Sequence, residues 1–170
     1  EHDNILRKLN LLEMQFLDMC RGKSPDYSLM RSILVYIQEY PEQIHHPLED
    51  MIYSILLERS DEVEFVQDLI TEHTQLEVDT RILRESLESM KNSFVSKEKL
   101  KQQLSKFLVG QRHLIYIEEV GVYPLVQRIL TKNYWKKLQA MVPLLDDPFF
   151  GRRTRYDYEV LYREIEERSR

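Results

Sequence analysis

The run "ILRKLNLLEMQFLDM", residues 5–19, places Ile5, Leu9, Leu12, Phe16 and Met19 at spacings of four, three, four and three. That is the stripe a helix turns toward a bundle core. Gly22 ends the helix and "KSP" (23–25) forms the turn, since glycine suits a helix C-terminus and proline the start of the next helix. The second segment begins near Asp26, with Ile33, Leu34, Ile37 and Tyr40 on its apolar side. Pro41 and Pro47 each remove a backbone donor, so a kink or break is expected between about 40 and 46. The pattern then resumes through Ile52, Ile55 and Leu56 to "RSDE" (59–62), where Ser60 or Asp61 can cap the third helix.

That third helix is expected over 62–91, with Val66, Leu69, Ile70, Leu76, Leu83, Leu87 and Met90 on its buried face. Ser96 is a plausible N-cap for a fourth helix carrying Leu100, Leu104, Phe107, Leu108, Ile115 and Val122. Only four glycines and six prolines punctuate 170 residues, a composition that favours long helices with short connections. The expected fold class is all-α, an antiparallel up-down four-helix bundle. Beyond it, "TKNYWKKL" (131–138) reads as a short helix, "DDPFFG" (146–151) as a turn and "TRYDYEVLYREIEERS" (154–169) as a last helix laid across the bundle.

Charge and composition exclude several function classes. The net charge of -5 leaves no broad cationic field for nucleic acid or anionic lipid. The cluster Arg152, Arg153 and Arg155 reads as a solvated loop. No apolar run approaches the roughly 20 residues that span a bilayer, and no signal sequence is visible. A single cysteine, Cys20, excludes an internal disulfide framework and suits a reducing, cytoplasmic compartment. It falls among the apolar positions of the first helix, so a buried thiol is expected.

Four of the five histidines fall on the apolar stripes, one to each helix. His2 precedes Ile5, Leu6 and Leu9 by three, four and seven residues. His45, Glu49, Ile52 and Leu56 are spaced four, three and four. His73 follows Leu69 and Ile70, and Glu77 follows it by four; His113 lies between Val109 and Ile117, with Glu118 five residues on. His46 and Asp50 repeat the spacing of His45 and Glu49 about 100° further round the helix. The pair His45 and Glu49 is the better placed, with His46 as an outer or structural residue. Buried carboxylates and imidazoles cost several kcal/mol each unless paired or bound to a cation. No lysine or arginine is expected on these faces, which leaves metal ions as the counter-charge. Imidazole and carboxylate without thiolate suit iron or manganese better than structural zinc. Two ions suit the count, bridged by carboxylates and with a position open to an exogenous ligand. Tyr53 and Tyr116 lie near these residues in sequence, where each could donate a hydrogen bond to a metal-bound oxygen species; core filling is their expected role.

"HHPLED" (45–50), "EHTQLE" (72–77) and "RHLIYIEEVGVYP" (112–124), after "EHDN" (1–4), resemble in order and spacing the ligand motifs of hemerythrin-like (HHE cation-binding) proteins over residues 1–131. The tail, with Trp135 and "DDPFFG", is similar to extensions of bacterial members. The resemblance implies a bundle over 1–131 with a C-terminal helical extension over 132–170, packed as one domain around two non-haem iron ions. Manganese or zinc are possible substitutes for the iron. Carried over by position, His2 and His45 hold one ion, His73, Glu77 and His113 the other, and Glu49 and Glu118 bridge. Oxygen carriers of the family have histidine where this chain has Glu77. An anionic ligand there argues against reversible dioxygen carriage, and relatives with a carboxylate are linked to iron sensing and to nitrosative or oxidative stress. Bacterial relatives often place the fourth-helix histidine four residues before the glutamate, rather than five as here.

The expected function is therefore a di-iron protein that binds or reacts with dioxygen, peroxide or nitric oxide, or senses or stores iron. Its partner is a small diatomic or peroxide ligand, with no nucleic acid and no membrane. Two other classes compete. One is a metal-free helical interaction module; the other is a metal-dependent phosphohydrolase, hinted at only by His2–Asp3 and lacking a mid-chain His–Asp pair.

Overall fold

The computed structural model describes residues 2–59, 61, 63–90 and 95–141, and all regular structure among them is helical. Helix α1 spans His2–Cys20 and α2 spans Tyr27–Glu39. A π-helical turn, Pro41–His45, leads into α3, His46–Arg59. Helix α4 spans Val63–Ser89 and α5 spans Lys97–Ile117. A second π turn, Glu118–Val122, leads into α6, Tyr123–Ile129, and α7 spans Lys132–Met141.

Local chemistry accounts for the boundaries. Gly22 has φ of 75°, and the Lys23 N–H donates to the Asp18 carbonyl while the Gly22 N–H donates to that of Met19. This is a Schellman ending, with glycine at the one position that needs a left-handed backbone. Asp26 caps α2 by accepting from the Leu29 N–H at 2.9 Å, and Ser96 caps α5 by accepting from Lys99 at 3.2 Å. The expected kink is the first π turn. Pro41 has no N–H to continue the α-helical ladder, and the chain recovers by donating from His45 to the Tyr40 carbonyl five residues back, at 3.2 Å. A π turn spends one extra residue, so the inward stripe that runs Ile33, Ile37, Tyr40 continues at His45, Glu49, Tyr53 and Leu56.

Helix α1 packs on α2 and α5, α4 on α2, α3 and α5, and α3 on α6. Gly110 permits the close approach of α5 to α4, because a Cβ there would lie 2.9 Å from Leu76 Cδ2. One apolar cluster joins α1 and α2 to Leu83, Leu87, Leu100, Leu104 and Phe107. A second joins Tyr53, Leu56, Val66, Leu69 and Leu76 to Val122, Leu125, Val126 and, from α7, Leu138. No helix among the described residues is long and apolar enough to cross a membrane.

Two expectations fail here. Cys20 is exposed, because the core stripe of α1 passes through Met19 and Cys20 lies a further 100° round the helix. Lys8 is buried, so the interior is not free of basic side chains. The cap at Ser60, "DDPFFG", the final helix and Arg152, Arg153 and Arg155 lie outside the described residues.

Candidate metal centre

Five ligand-type side chains, from α1, the first π turn, α3, α4 and the second π turn, converge, none more than 6% exposed: His2, His45, Glu49, His73 and Glu118. They form two triads, His2–His45–Glu49 and Glu49–His73–Glu118, within each of which the nitrogen and oxygen atoms lie inside 4.8 Å of one another. Glu49 belongs to both. In the first triad, Nε2 of His2 and Nε2 of His45 are 3.1 Å apart, and Glu49 Oε1 is 3.4 Å from His45 and 3.6 Å from His2. In the second, His73 Nε2 is 3.1 Å from Glu118 Oε1 and 3.7 Å from Glu49 Oε2. Glu118 also reaches the first triad, its Oε2 lying 3.4 Å from His2 Nε2.

These separations test whether a cation fits. Two donors bound to one ion at about 2.1 Å stand about 3.0 Å apart when cis in an octahedron and about 3.4 Å apart in a tetrahedron. The observed edges match those lengths to within a few tenths of an ångström. The Glu49 Oε2 atom is buried without a hydrogen-bond partner, a costly state for a carboxylate oxygen that a cation would relieve.

Outer carboxylates orient the imidazoles. His2 donates its Nδ1–H to Glu119 Oε1 at 2.8 Å, and His73 donates its Nδ1–H to Asp50 Oδ1 at 2.8 Å. Because an ionised carboxylate only accepts, each Nδ1 carries a proton, and it is the Nε2 facing the cluster that would bind a cation, releasing any proton of its own. Two tyrosines complete the shell. Tyr53 donates its O–H to Glu118 Oε1 at 2.8 Å, and Tyr123 donates to Glu49 Oε1 at 3.2 Å.

Electrostatics follow the geometry. Burial works to lower the pKa of His73, but hydrogen bonds to Asp50 and Glu118 and the charges of Glu118 and Glu49 raise it to about 9. His2 is likewise opposed by burial and raised on balance by Glu49, Glu118 and Glu119. Burial works to raise Glu49, yet the surrounding His2, His45 and His73 hold it below the usual carboxylate value. Both phenols are pushed upward, by burial first and then by the charges of Glu49 and Glu118. His46 is buried but belongs to neither triad; its ring stacks on His73 with centroids 4.2 Å apart and planes 10° apart. Burial, then the positive potential of His73, His45 and His2, lowers its pKa to about 2, so it stays neutral.

Two expected site residues are not brought to the cluster. His113 is exposed, since the inward face of α5 runs through Leu104, Phe107, Gln111, Leu114 and Glu118. Five residues from Glu118 is about 140° round an α-helix, which turns His113 outward. Its apparent stripe is real but solvent-facing: Val109 is 67% exposed. Glu77 is also exposed, about 100° past Leu76, and its charge acts on Glu42 instead. Asp3 is exposed, so His2–Asp3 is no ligand pair, and Tyr116 is 63% exposed.

Tyr53, expected in the core, is buried there and also takes a carboxylate partner one α-helical turn after Glu49; Tyr123, which the sequence reading missed, follows Glu118 by the five residues of one π turn. The roles of Asp50 and Glu119 were legible as an acid immediately after each inward glutamate. No known protein family, curated protein or solved structure matches the chain.

Proposed function

We propose that this chain is a hemerythrin-like, non-haem di-iron protein, a four-helix bundle with antiparallel neighbours, that binds or reacts with dioxygen, peroxide or nitric oxide. The observation that carries this reading is Glu49, a buried carboxylate shared by two ligand triads, with one oxygen lacking a hydrogen bond. His2 and His45 would hold one ion, His73 the other, with Glu49 and Glu118 serving both. Ferrous ions bound there would supply reducing electrons and Lewis acidity toward a small oxygen or nitrogen species.

The chain's own residues do the rest. Asp50 and Glu119 keep the Nδ1 protons of His73 and His2 on their outer sides. Tyr53 and Tyr123 hold O–H donors against the two shared carboxylates. The reason drawn from Glu77 against dioxygen carriage lapses with its exposure. What replaces it is the sparse His73 side, which has one imidazole where the other side has two. That sparseness favours reaction with, or sensing of, an exogenous ligand over stable carriage.

Metal content per chain, on protein purified without chelators and after anaerobic ferrous loading, tests the proposal. About two irons with near-ultraviolet charge-transfer absorption in air is the expected result; no metal under either condition would overturn it. A second reading, a metal-free interaction module, draws on the exposed Val109 and Tyr116 on α5, Val120 in the second π turn, and Met14 and Leu17 on α1. It requires a melting temperature indifferent to metal.

A further inference from the structure

Tyr53 and Tyr123 are placed alike about the two triads. Tyr53 is 1% exposed, donates to Glu118 and lies 5.5 Å, centroid to centroid, from the ring of His73. Tyr123 donates to Glu49 and stacks on His2 at 5.5 Å, with planes 13° apart. Each phenol therefore touches one shared carboxylate and one histidine, and the two histidines belong to opposite triads. Any buried phenol needs a hydrogen-bond partner; here both take theirs from the carboxylates shared by the two triads.

A phenol becomes a good one-electron donor only when its proton has somewhere to go as the electron leaves, because the phenol radical cation is a very strong acid. At both tyrosines a carboxylate oxygen already accepts the proton in question, at 2.8 Å and 3.2 Å. We propose, resting on the di-iron reading, that Tyr53 and Tyr123 each donate one electron and one proton, completing the four-electron reduction of dioxygen to water at this centre.

The step balances. Dioxygen needs four electrons and four protons to become two waters. Two ferrous ions, each oxidised to ferric, supply two electrons, and the two tyrosines supply the other two. Each tyrosine breaks its O–H bond and becomes a neutral phenoxyl radical; its proton passes to Glu118 Oε1 from Tyr53 and to Glu49 Oε1 from Tyr123. The two glutamates pass these protons on to the oxygen, two further protons come from solvent, and the O–O bond breaks to leave two waters. Without the tyrosines, two ferrous ions carry dioxygen only as far as hydrogen peroxide.

The test uses the full chain, loaded anaerobically with ferrous iron and assayed for iron content, then mixed with dioxygen and freeze-quenched. Wild type should give an organic radical signal by electron paramagnetic resonance and release no peroxide. Tyr53→Phe and Tyr123→Phe should each lose half of the signal. The double variant should lose all of it and release one peroxide for each pair of ferrous ions. Tyr116→Phe, altered on the exposed face, should match wild type. Iron-loaded wild type with no radical, or equal peroxide release from wild type and the double variant, would overturn the donor role and leave the di-iron reading standing. Absence of bound iron in wild type would overturn both.

Discussion

The perturbation that bears most directly on the centre is removal of Glu49, read as the difference in melting temperature with and without metal. If two ions bind the folded chain and not the unfolded one, each adds about 2.7 kcal/mol when free metal stands 100-fold above its Kd, or about 5 kcal/mol together. For a chain of this size about 1 kcal/mol moves Tm by roughly 2–4 °C, so loaded wild type should melt about 10–20 °C above the chelated form. Glu49 supplies one of three residues to each triad, so Glu49→Ala weakens both ions at once. If each Kd rises about 100-fold, free metal only matches it, and each ion then adds about 0.4 kcal/mol. The metal-dependent difference should shrink to about 2–3 °C. His46→Ala is the control: its ring lies outside both triads, and although deleting it from the stack on His73 lowers stability, that loss appears in both forms and cancels. Calorimetry on the three proteins, with and without chelator, gives the answer. A wild-type difference below about 2 °C at saturating metal would remove the centre, and an undiminished difference in Glu49→Ala would refute its shared position.

Asp50→Asn and Glu119→Gln should each weaken metal binding about 10- to 100-fold with little loss of helix, because they release the Nδ1 protons of His73 and His2; competition against a chromogenic chelator measures it. His113→Ala should leave metal content unchanged and stability within about 0.5 kcal/mol, as for other exposed positions; loss of an ion would return His113 to the ligand set. Leu114→His, at the buried position four residues before Glu118, should tighten binding by adding a donor on the inward face of α5, read in the same competition assay. Glu42 is raised to about 7 by burial first and by Glu77, against Thr80 and Arg84. A carboxyl with a raised folded pKa stabilises fully below its unfolded value near 4.5 and loses that contribution as pH rises through about 7. Glu42→Gln should therefore remove that decline, and parallel Tm-against-pH curves for variant and wild type would refute it.

The helices were legible because their stripes are long and their caps chemically distinct: Asp26, Ser96 and Gly22 act as their types predict. His2, His45, Glu49 and His73 were legible for the same reason, each lying in register with apolar neighbours that are buried or half-buried, whereas Glu118 was reached only by its spacing from the outward-facing His113 and by resemblance. The failures at His113 and Cys20 share one cause. Both helices carry apolar residues on a second face, and periodicity alone does not say which face meets the core. At α5 the decision falls to Phe107, Gln111 and Leu114, whose line runs to Glu118 and leaves Val109, His113 and Tyr116 in solvent. Tyr123 was hidden differently: it aligns with Glu118 only across a π turn, and a 3.6-residue period assigns it elsewhere.

The two π turns and the two acidic pairs belong to one construction. In Glu49–Asp50 and Glu118–Glu119 the first acid enters the cluster and the second crosses to a histidine on another helix, Asp50 to α4 and Glu119 to α1. A regular α-helix through Pro41 is not available, because the proline ring displaces the carbonyl four residues back and offers no donor. The extra residue absorbed there sets His45 one turn after Tyr40, in line with the inward stripe of α2. At the other end the extra residue brings Tyr123 over Glu118 and Glu49 instead of past them, and Pro124 follows at the start of α6. Each inserted residue costs helical regularity, yet each falls where a cluster side chain would otherwise miss its partners by about 100°. The local departures from α-helix are thus the means by which helices with ordinary cores bring three imidazoles and two carboxylates within reach of one another.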